Sequence, residues 1–242
     1  MRHSFTIKLV LACAVNLIVA SSAMADVGST NTCQPNGLPD GWPTAGRARV
    51  WTGTWDPVLR IHRGTCYELT YLGYDNNNWT CFDTAASNFP NDSIQSVLVG
   101  SGVRLFLFQN SMGQREESAP LIVEQSTGYN DLGGWKNVIS AARLVTLSRP
   151  EQSLKLCTDP NGNTAYDCVS LFTSNLLGSQ SYPTPLSMCF HNDSASWYSL
   201  GSAYYKPTLF NNNNFGGSSY QLNPGQGRLQ WFDNVTSSVR YY

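Results

Sequence analysis

Apolar positions in this chain almost never recur at the three- to four-residue spacing of an amphipathic helix. Short runs rich in Val, Leu, Phe, Tyr and Trp alternate instead with clusters of Asn, Gly, Ser, Asp and Pro. Val103-Arg104-Leu105-Phe106-Leu107-Phe108 is a strand candidate, and so are Leu121-Ile122-Val123, Ala142-Arg143-Leu144-Val145 and Ser238-Val239-Arg240-Tyr241. Many short strands separated by turn signals predict an all-β sandwich or Greek-key fold.

One apolar run does not belong to that pattern. Met1 to Lys8 is short and basic, Leu9 to Ala20 is nearly all apolar, and Ser21-Ser22-Ala23-Met24-Ala25 ends in small residues spaced Ala-x-Ala. This reads as a secretory signal peptide, residues 1–25, cleaved before Asp26. The run is shorter than the roughly 20 residues a membrane-spanning helix needs. The expected location is therefore secreted, either extracellular or periplasmic. Residues 26–43 are polar and rich in Pro and Gly, and they are expected to form an extended arm.

Charge narrows the partners. Removing Arg2 and Lys8 with the leader leaves 13 of the 15 basic residues against 16 acidic ones, a net charge of −3. Phosphate binding needs clustered Lys and Arg, so nucleic acid is excluded as a partner, and no polybasic patch suggests adhesion to an anionic membrane. Beyond the leader's Cys13, an even set remains: Cys33, Cys66, Cys81, Cys157, Cys168 and Cys189. An even set in an exported chain favours disulfides over metal thiolates. The local choices are Cys66 with Cys81 and Cys157 with Cys168, which would leave Cys33 for Cys189; other connectivities stay open.

The chain also repeats itself. Phe210-Asn211-Asn212-Asn213-Asn214-Phe215-Gly216-Gly217 leads on to Asp233-Asn234-Val235-Thr236-Ser237-Ser238. Tyr74 to Cys81, with aromatics at Tyr74 and Trp79, leads on to Asn91-Asp92-Ser93-Ile94-Gln95-Ser96. Looser copies run from Phe108 through Gly113 to Lys136-Asn137-Val138-Ile139-Ser140-Ala141, and from Cys157 through Cys168 to Asn192-Asp193-Ser194-Ala195-Ser196-Trp197. In this respect the chain resembles the βγ-crystallins. Their Greek-key motif opens on an aromatic, about four residues, a second aromatic, one residue and a Gly, and closes on an Asn/Asp-Asn/Asp-x-x-Ser/Thr-Ser loop. The resemblance runs from about residue 66 to the C-terminus and is strongest in the last motif. It implies two Greek-key sandwich domains, residues 44–148 and 151–242, joined through Ser148-Arg149-Pro150-Glu151.

The resemblance also implies chemistry. Calcium takes carboxylate, carbonyl, hydroxyl and water oxygens. In calcium-binding βγ-crystallins the two loops of paired motifs build two sites together. Carried over, the second domain would use Asn192, Asp193, the Ser194 backbone and Ser196, with Asp233, Asn234, the Val235 backbone and Ser237. The first domain departs from the pattern. Asn91 and Asp92 match, but Gln95 stands where a hydroxyl belongs. Lys136 replaces the first acid or amide of the partner loop, although Asn137 and Ser140 remain. Calcium binding is therefore expected mainly in the second domain, with an affinity on the order of 10⁻⁴ M or tighter. The same loops can also close a Greek key without metal, because Asx and Ser side chains satisfy turn backbone.

Other chemistry is weaker. His62 and His191 are the histidines beyond the leader, and no nucleophile elbow accompanies them. Glu116 and Glu117 are adjacent and would face opposite sides of a strand, so they are a poor glycosidase pair. Asn78, Asn91, Asn192 and Asn234 open glycosylation sequons, which the bacterial look of the leader makes coincidental. Trp51 and Trp55 are expected in an arm before the first clear motif. The expected function is a secreted, non-enzymatic, calcium-binding protein. The alternatives are an inhibitor or toxin-like protein that engages an extracellular protein target through an exposed loop, and a carbohydrate-binding module that takes a glycan.

Overall fold

The computed structural model describes residues 31–33, 42–72, 79–84, 87–115, 119–147, 154–163, 166–171, 181–201 and 206–241. The expected leader, most of the arm, the linker, residues 74–78 and the Glu116–Glu117 pair lie outside the described residues. Among the described residues no helix is long and apolar enough to cross a membrane.

The first half contains β1 (Asn31–Thr32), β2 (Arg47–Trp51), β3 (Trp55–Asp56), β4 (Ile61–His62), β5 (Cys66–Thr70), β6 (Trp79–Asp83), β7 (Ser96–Val99), β8 (Val103–Phe108), β9 (Leu121–Val123), β10 (Thr127–Tyr129) and β11 (Ala141–Thr146). The second half contains β12 (Leu154–Cys157), β13 (Cys168–Leu171), β14 (Ser181–Tyr182), α1 (Pro185–Met188), β15 (Trp197–Leu200), β16 (Pro207–Asn212), β17 (Gly216–Gln221), β18 (Gly225–Arg228) and β19 (Ser238–Tyr241). The strand candidates at 103–108, 121–123, 142–145 and 238–241 all fall within these strands.

Every strand pair is antiparallel, and strands cross between the sheets of each half. In the first half one sheet runs β1-β5-β2-β7-β10 and the other β6-β11-β8-β9. The third strand of each four-strand unit, β6 or β10, has left its own unit to join the sheet of the other. The second half repeats this, with sheets β13-β12-β15-β18 and β14-β19-β16-β17. This is a paired Greek-key arrangement, and the fold class is all-β.

Pleating sends alternate side chains to opposite faces, and the apolar residues divide accordingly. Val103, Leu105 and Leu107 of β8 share one core with Phe82, Ala142 and Leu144 of their own sheet and with Ala48, Val50, Leu69, Val97 and Val99 of the facing sheet. The opposite face of the same sheet carries Trp79, Cys81, Phe108 and Ala141, with Phe106 and Val145 packed alongside. Those residues belong to a second core with Leu154, Leu156, Leu209 and Val239 of the second half. The sheet β6-β11-β8-β9 is therefore covered on both sides, which is why β6 is buried at every position.

Two expectations need correction. The Tyr74-to-Trp79 spacing does not open the first Greek key. Trp79 lies in the third strand, and the opening strand is β2. Trp51 and Trp55 are likewise not in an arm. Trp51 ends β2 in the core, stacked on His62 with ring centroids 4.1 Å apart, and Trp55 begins an inserted β3–β4 hairpin, edge-on to the same ring at 4.9 Å.

The disulfides are Cys33–Cys66, Cys81–Cys189 and Cys157–Cys168. The local pair Cys157–Cys168 lies directly across the β12–β13 register. The expected pairs Cys66–Cys81 and Cys33–Cys189 do not form. Cys66 starts β5 and Cys81 lies in β6, which belongs to the other sheet. Pairing of β1 with β5 instead brings Cys33 to Cys66, where its backbone N–H donates to the Cys66 carbonyl at 3.0 Å. Cys81 is left facing the second half.

Beside that bond lies a buried ionic cluster. Arg143 of β11 is 1% exposed, and Asp167 and His191 are fully buried. The Arg143 guanidinium donates to Asp167 at 2.5 Å and to the backbone carbonyls of Cys168 and Cys189 at 2.9 Å each. Its face covers Phe106 and Phe108, with its Cζ 4.9 and 5.3 Å from the ring centroids. Burial works to raise the Asp167 pKa. The Arg143 charge and the His191 hydrogen bond outweigh it and hold the carboxyl below its ordinary range. A depressed folded-state pKa contributes stability that is complete above the unfolded value, about 4, and is lost as the pH falls through the folded value. Asp167→Asn is therefore expected to cost about 3 kcal/mol at neutral pH, as removal of one partner from a buried pair does. It should also reduce the loss of stability below about pH 4, as measured by denaturant unfolding across pH. An unchanged acid limb would show that the carboxylate does not drive it.

Candidate metal loops

Each Greek key closes on a loop that enters its fourth strand: 91–96 before β7, 136–141 before β11, 192–197 before β15 and 233–238 before β19. A 3-10 turn leads into the second and fourth of these, Gly133–Trp135 and Gln230–Phe232. The second residue of every loop is left-handed: φ is 46° at Asp92, 58° at Asn137, 50° at Asp193 and 55° at Asn234. Asn and Asp tolerate this region because a short polar side chain can bond locally.

That kink brings the loops together in pairs. Asp193 N–H donates to the Thr236 carbonyl at 3.2 Å, and Asn234 N–H donates to the Ala195 carbonyl at 2.8 Å. In the first half Asp92 N–H reaches the Ile139 carbonyl at 2.9 Å, and Asn137 N–H reaches that of Ile94 at 3.1 Å. The side chains follow the same crossing. Ser237 Oγ donates to Asp193 Oδ1, and Ser196 Oγ to Asn234 Oδ1, each at 3.0 Å. The fifth-position hydroxyl of each loop thus lies against the second-position oxygen of its partner. Asn192 Nδ2 also donates to Asp193 Oδ2 at 3.0 Å.

The donor chemistry separates the four positions. In the second half each loop offers one carboxylate, one amide oxygen, serine hydroxyls and backbone carbonyls, a set that suits a hard cation. In the first half Ser140 Oγ donates to Asp92 Oδ1 at 3.2 Å, repeating the arrangement on one side. On the other side Gln95 donates its amide nitrogen to Asn137 Oδ1 at 3.2 Å, which places an N–H where a cation needs oxygen. The Lys136 ammonium turns to Asp131 at 3.1 Å. Among the described residues no group of three or more His, Cys, Asp or Glu side chains is placed to hold a metal, so a cation at these positions would draw on single carboxylates together with uncharged oxygens.

One feature was not anticipated from the sequence. The fourth loop position is Ile94, Ile139, Ala195 or Thr236, and all four residues are fully buried. Thr236 puts a hydroxyl where its counterparts are apolar, and among the described residues its Oγ1 is buried without a hydrogen-bond partner. Aligning the four loops by position would have exposed this mismatch.

The histidines do not join these loops. His62 is buried between Trp51 and Trp55, with Nδ1 2.9 Å from Ser96 Oγ, and that hydroxyl donates to the Gly53 carbonyl at 2.6 Å. His191 faces Asp167, not its sequence neighbour Asp193. Among the tryptophans, Trp231 is 64% exposed at the entrance to the last loop and lies edge-on to Tyr220.

No protein-family model matches the chain, and no curated protein matches it. Among solved structures it is similar to a βγ-crystallin domain from Flavobacterium johnsoniae, at 21% identity over 38% of this chain and 94% of that one, with a TM-score of 0.31. It is also similar to spherulin 3A from Physarum polycephalum, at 18% identity over 50% of this chain and 99% of that one, TM-score 0.34. Protein S complexed with calcium matches at 20% identity over 81% of this chain and 99% of that one, TM-score 0.31. These superpositions are partial. The exchanged third strands, the four closing loops and their left-handed second residues make the fold of this chain βγ-crystallin-like.

Proposed function

We propose that the paired loops 192–197 and 233–238 bind calcium, and that the bound ion stabilises this protein outside the cell. The observation that carries the reading is the reciprocal contact of Ser237 with Asp193 and of Ser196 with Asn234. It gathers oxygens from two Greek keys at each of two positions. Asn192, Asp193 and the Ser194 carbonyl, with Ser237, would hold one ion. Asp233, Asn234 and the Val235 carbonyl, with Ser196, would hold the other. Asn91, Asp92 and Ser140 offer a weaker third position, and Asn137 faces an amide instead of a hydroxyl. Calcium would supply positive charge to a cluster of oxygens that in its absence is held by hydrogen bonds alone. An ion that binds only the folded form stabilises it by about 2.7 kcal/mol at a concentration a hundredfold above Kd.

A second reading draws on the inserted β3–β4 hairpin. Its tip exposes Val58 by 87% and Leu59 by 61%. Asp56 Oδ1 accepts the backbone N–H groups of Val58 at 2.9 Å and Leu59 at 3.1 Å, and the same carboxylate pairs with Arg63. With these two backbone donors turned inward, the tip presents the Val58 and Leu59 side chains, as a knob offers itself to a pocket. This favours an inhibitor-like role toward a protein target over a glycan role.

Calorimetric titration with calcium should give heat with the wild type and none with Ser196→Ala plus Ser237→Ala, and a rise in melting temperature should accompany the heat in the wild type alone. Equal heats would sink the assignment. Thr236→Val removes the unpaired hydroxyl at nearly constant shape and should raise stability by about 1 kcal/mol with the calcium heat unchanged. Loss of heat would instead place that hydroxyl among the donors. For the second reading, secreted serine, cysteine and metallo-peptidases should be assayed with the wild type and with Val58→Ser plus Leu59→Ser. Inhibition by the wild type that the variant lacks supports it, and no inhibition removes it.

A further inference from the structure

The two loops of the candidate calcium pair are not held alike. Cys189 to Asn192 is fastened to the first half by five separate contacts. Cys189 is bonded to Cys81, and its carbonyl accepts from Arg143 at 2.9 Å. His191 lies 3.0 Å through Nε2 from the Asn110 carbonyl, and its ring is edge-on to Phe108 at 4.7 Å. Asn192 N–H donates to the Met112 carbonyl at 3.1 Å. The next residue is Asp193, whose carboxylate accepts from Ser237. The partner loop is anchored differently. Asn234 N–H goes to Ala195, Ser237 N–H to Phe210 and Ser238 Oγ to Asn212, all within the second half.

From this asymmetry we infer that the junction between the halves positions the Asn192–Asp193 loop, so that cation binding there and closure of the junction are one linked equilibrium. His191 acts as a positioning residue. Its ring nitrogens face Asp167 and the Asn110 carbonyl, and it holds the backbone from which Asn192 and Asp193 project. Thermodynamic linkage is reciprocal. If the closed junction tightens calcium binding by some factor, calcium stabilises the closed junction by the same factor. Couplings of this kind run from about 5-fold to about 150-fold. The inference rests on the calcium reading above for its ligand, but the positioning itself can be measured without calcium.

Cys81 and Cys189 are both fully buried, so a phosphine reductant reaches their bond only when the junction opens. In the wild-type protein, saturating calcium should slow reduction of Cys81–Cys189 about tenfold, followed by alkylation and mass spectrometry. Cys33–Cys66, remote from the junction in sequence and sheet, should be slowed far less. Equal slowing of both bonds would overturn the inference, since it would report only general stabilisation. Hydrogen exchange in calcium-free protein gives the second measurement. His191→Leu should speed exchange at Asn192 and Asp193 about tenfold while leaving Asn234 and Ser237 unchanged. His191→Gln, which keeps a donor for the Asn110 carbonyl, should restore most of the protection. Acceleration at both loops alike, or at neither, would overturn the positioning role. If the wild type gives no calcium heat, the calcium reading falls, and the exchange pattern still decides whether the junction sets the loop. The wild-type reduction rates and the Gln variant keep the test decisive if the Leu variant fails to fold.

Discussion

Arg143 is the constraint around which the two halves are arranged. A guanidinium costs several kcal/mol to take out of water, and this one is sealed between sheets. Its position is tolerable only because Asp167 supplies a counter-charge, two carbonyls accept further N–H groups, and two phenylalanine rings lie against its face. Three of those partners, the carboxylate and both carbonyls, belong to the second half. Any other docking angle would leave a buried cation unpaired. The cluster therefore adds little net stability compared with an apolar core, but it imposes a heavy penalty on misalignment. That kind of contact selects one arrangement among many hydrophobic ones.

The surrounding core is organised by the same requirement. The sheet that carries Arg143 is packed on both faces: Phe82, Ala142 and Leu144 point to one core and Trp79, Cys81 and Phe108 to the other. The disulfide between Cys81 and Cys189 closes the junction where the guanidinium meets the Cys189 carbonyl. The loops at the ends of the sheets inherit this geometry, and the rim oxygens reach each other only because two Greek keys have been brought into register beneath them.

Much of this was legible in the sequence. The period-two runs announced strands such as β8 and β19, and the four Asx-Ser loops announced where each Greek key closes. The Phe210–Phe215 corner is also as its spacing suggested, with rings edge-on at 5.8 Å and Gly217 at φ 73°, where a Cβ would meet Asn211 Oδ1 at 2.1 Å. What was hidden depends on contacts between residues far apart in the chain. Arg143 reads as an ordinary polar member of an alternating strand, because nothing local says that its sheet is covered twice. Cys66 and Cys81 look like neighbours until the strand holding Cys81 crosses to the opposite sheet. Trp51 was hidden because the β3–β4 insertion interrupts the motif that would have identified it. Thr236 was visible but unremarked, since its apolar counterparts matter only once all four loops are known to share one buried position.

The crossing of third strands between sheets also bears on how the chain acquires its shape. Neither sheet of a half can be completed by one Greek key: β6 waits for β11, which arrives about sixty residues later along the chain, and β10 must return to β7. Native pairings are therefore formed across long loops whose closure entropy is spent before the contacts repay it. Such a topology folds slowly compared with a hairpin meander of equal size. A single Greek key excised from this chain would present open strand edges and half a core. The unit of folding is at least a pair of keys, and synthesis of the first key alone yields a segment that must be kept from aggregating until the second emerges.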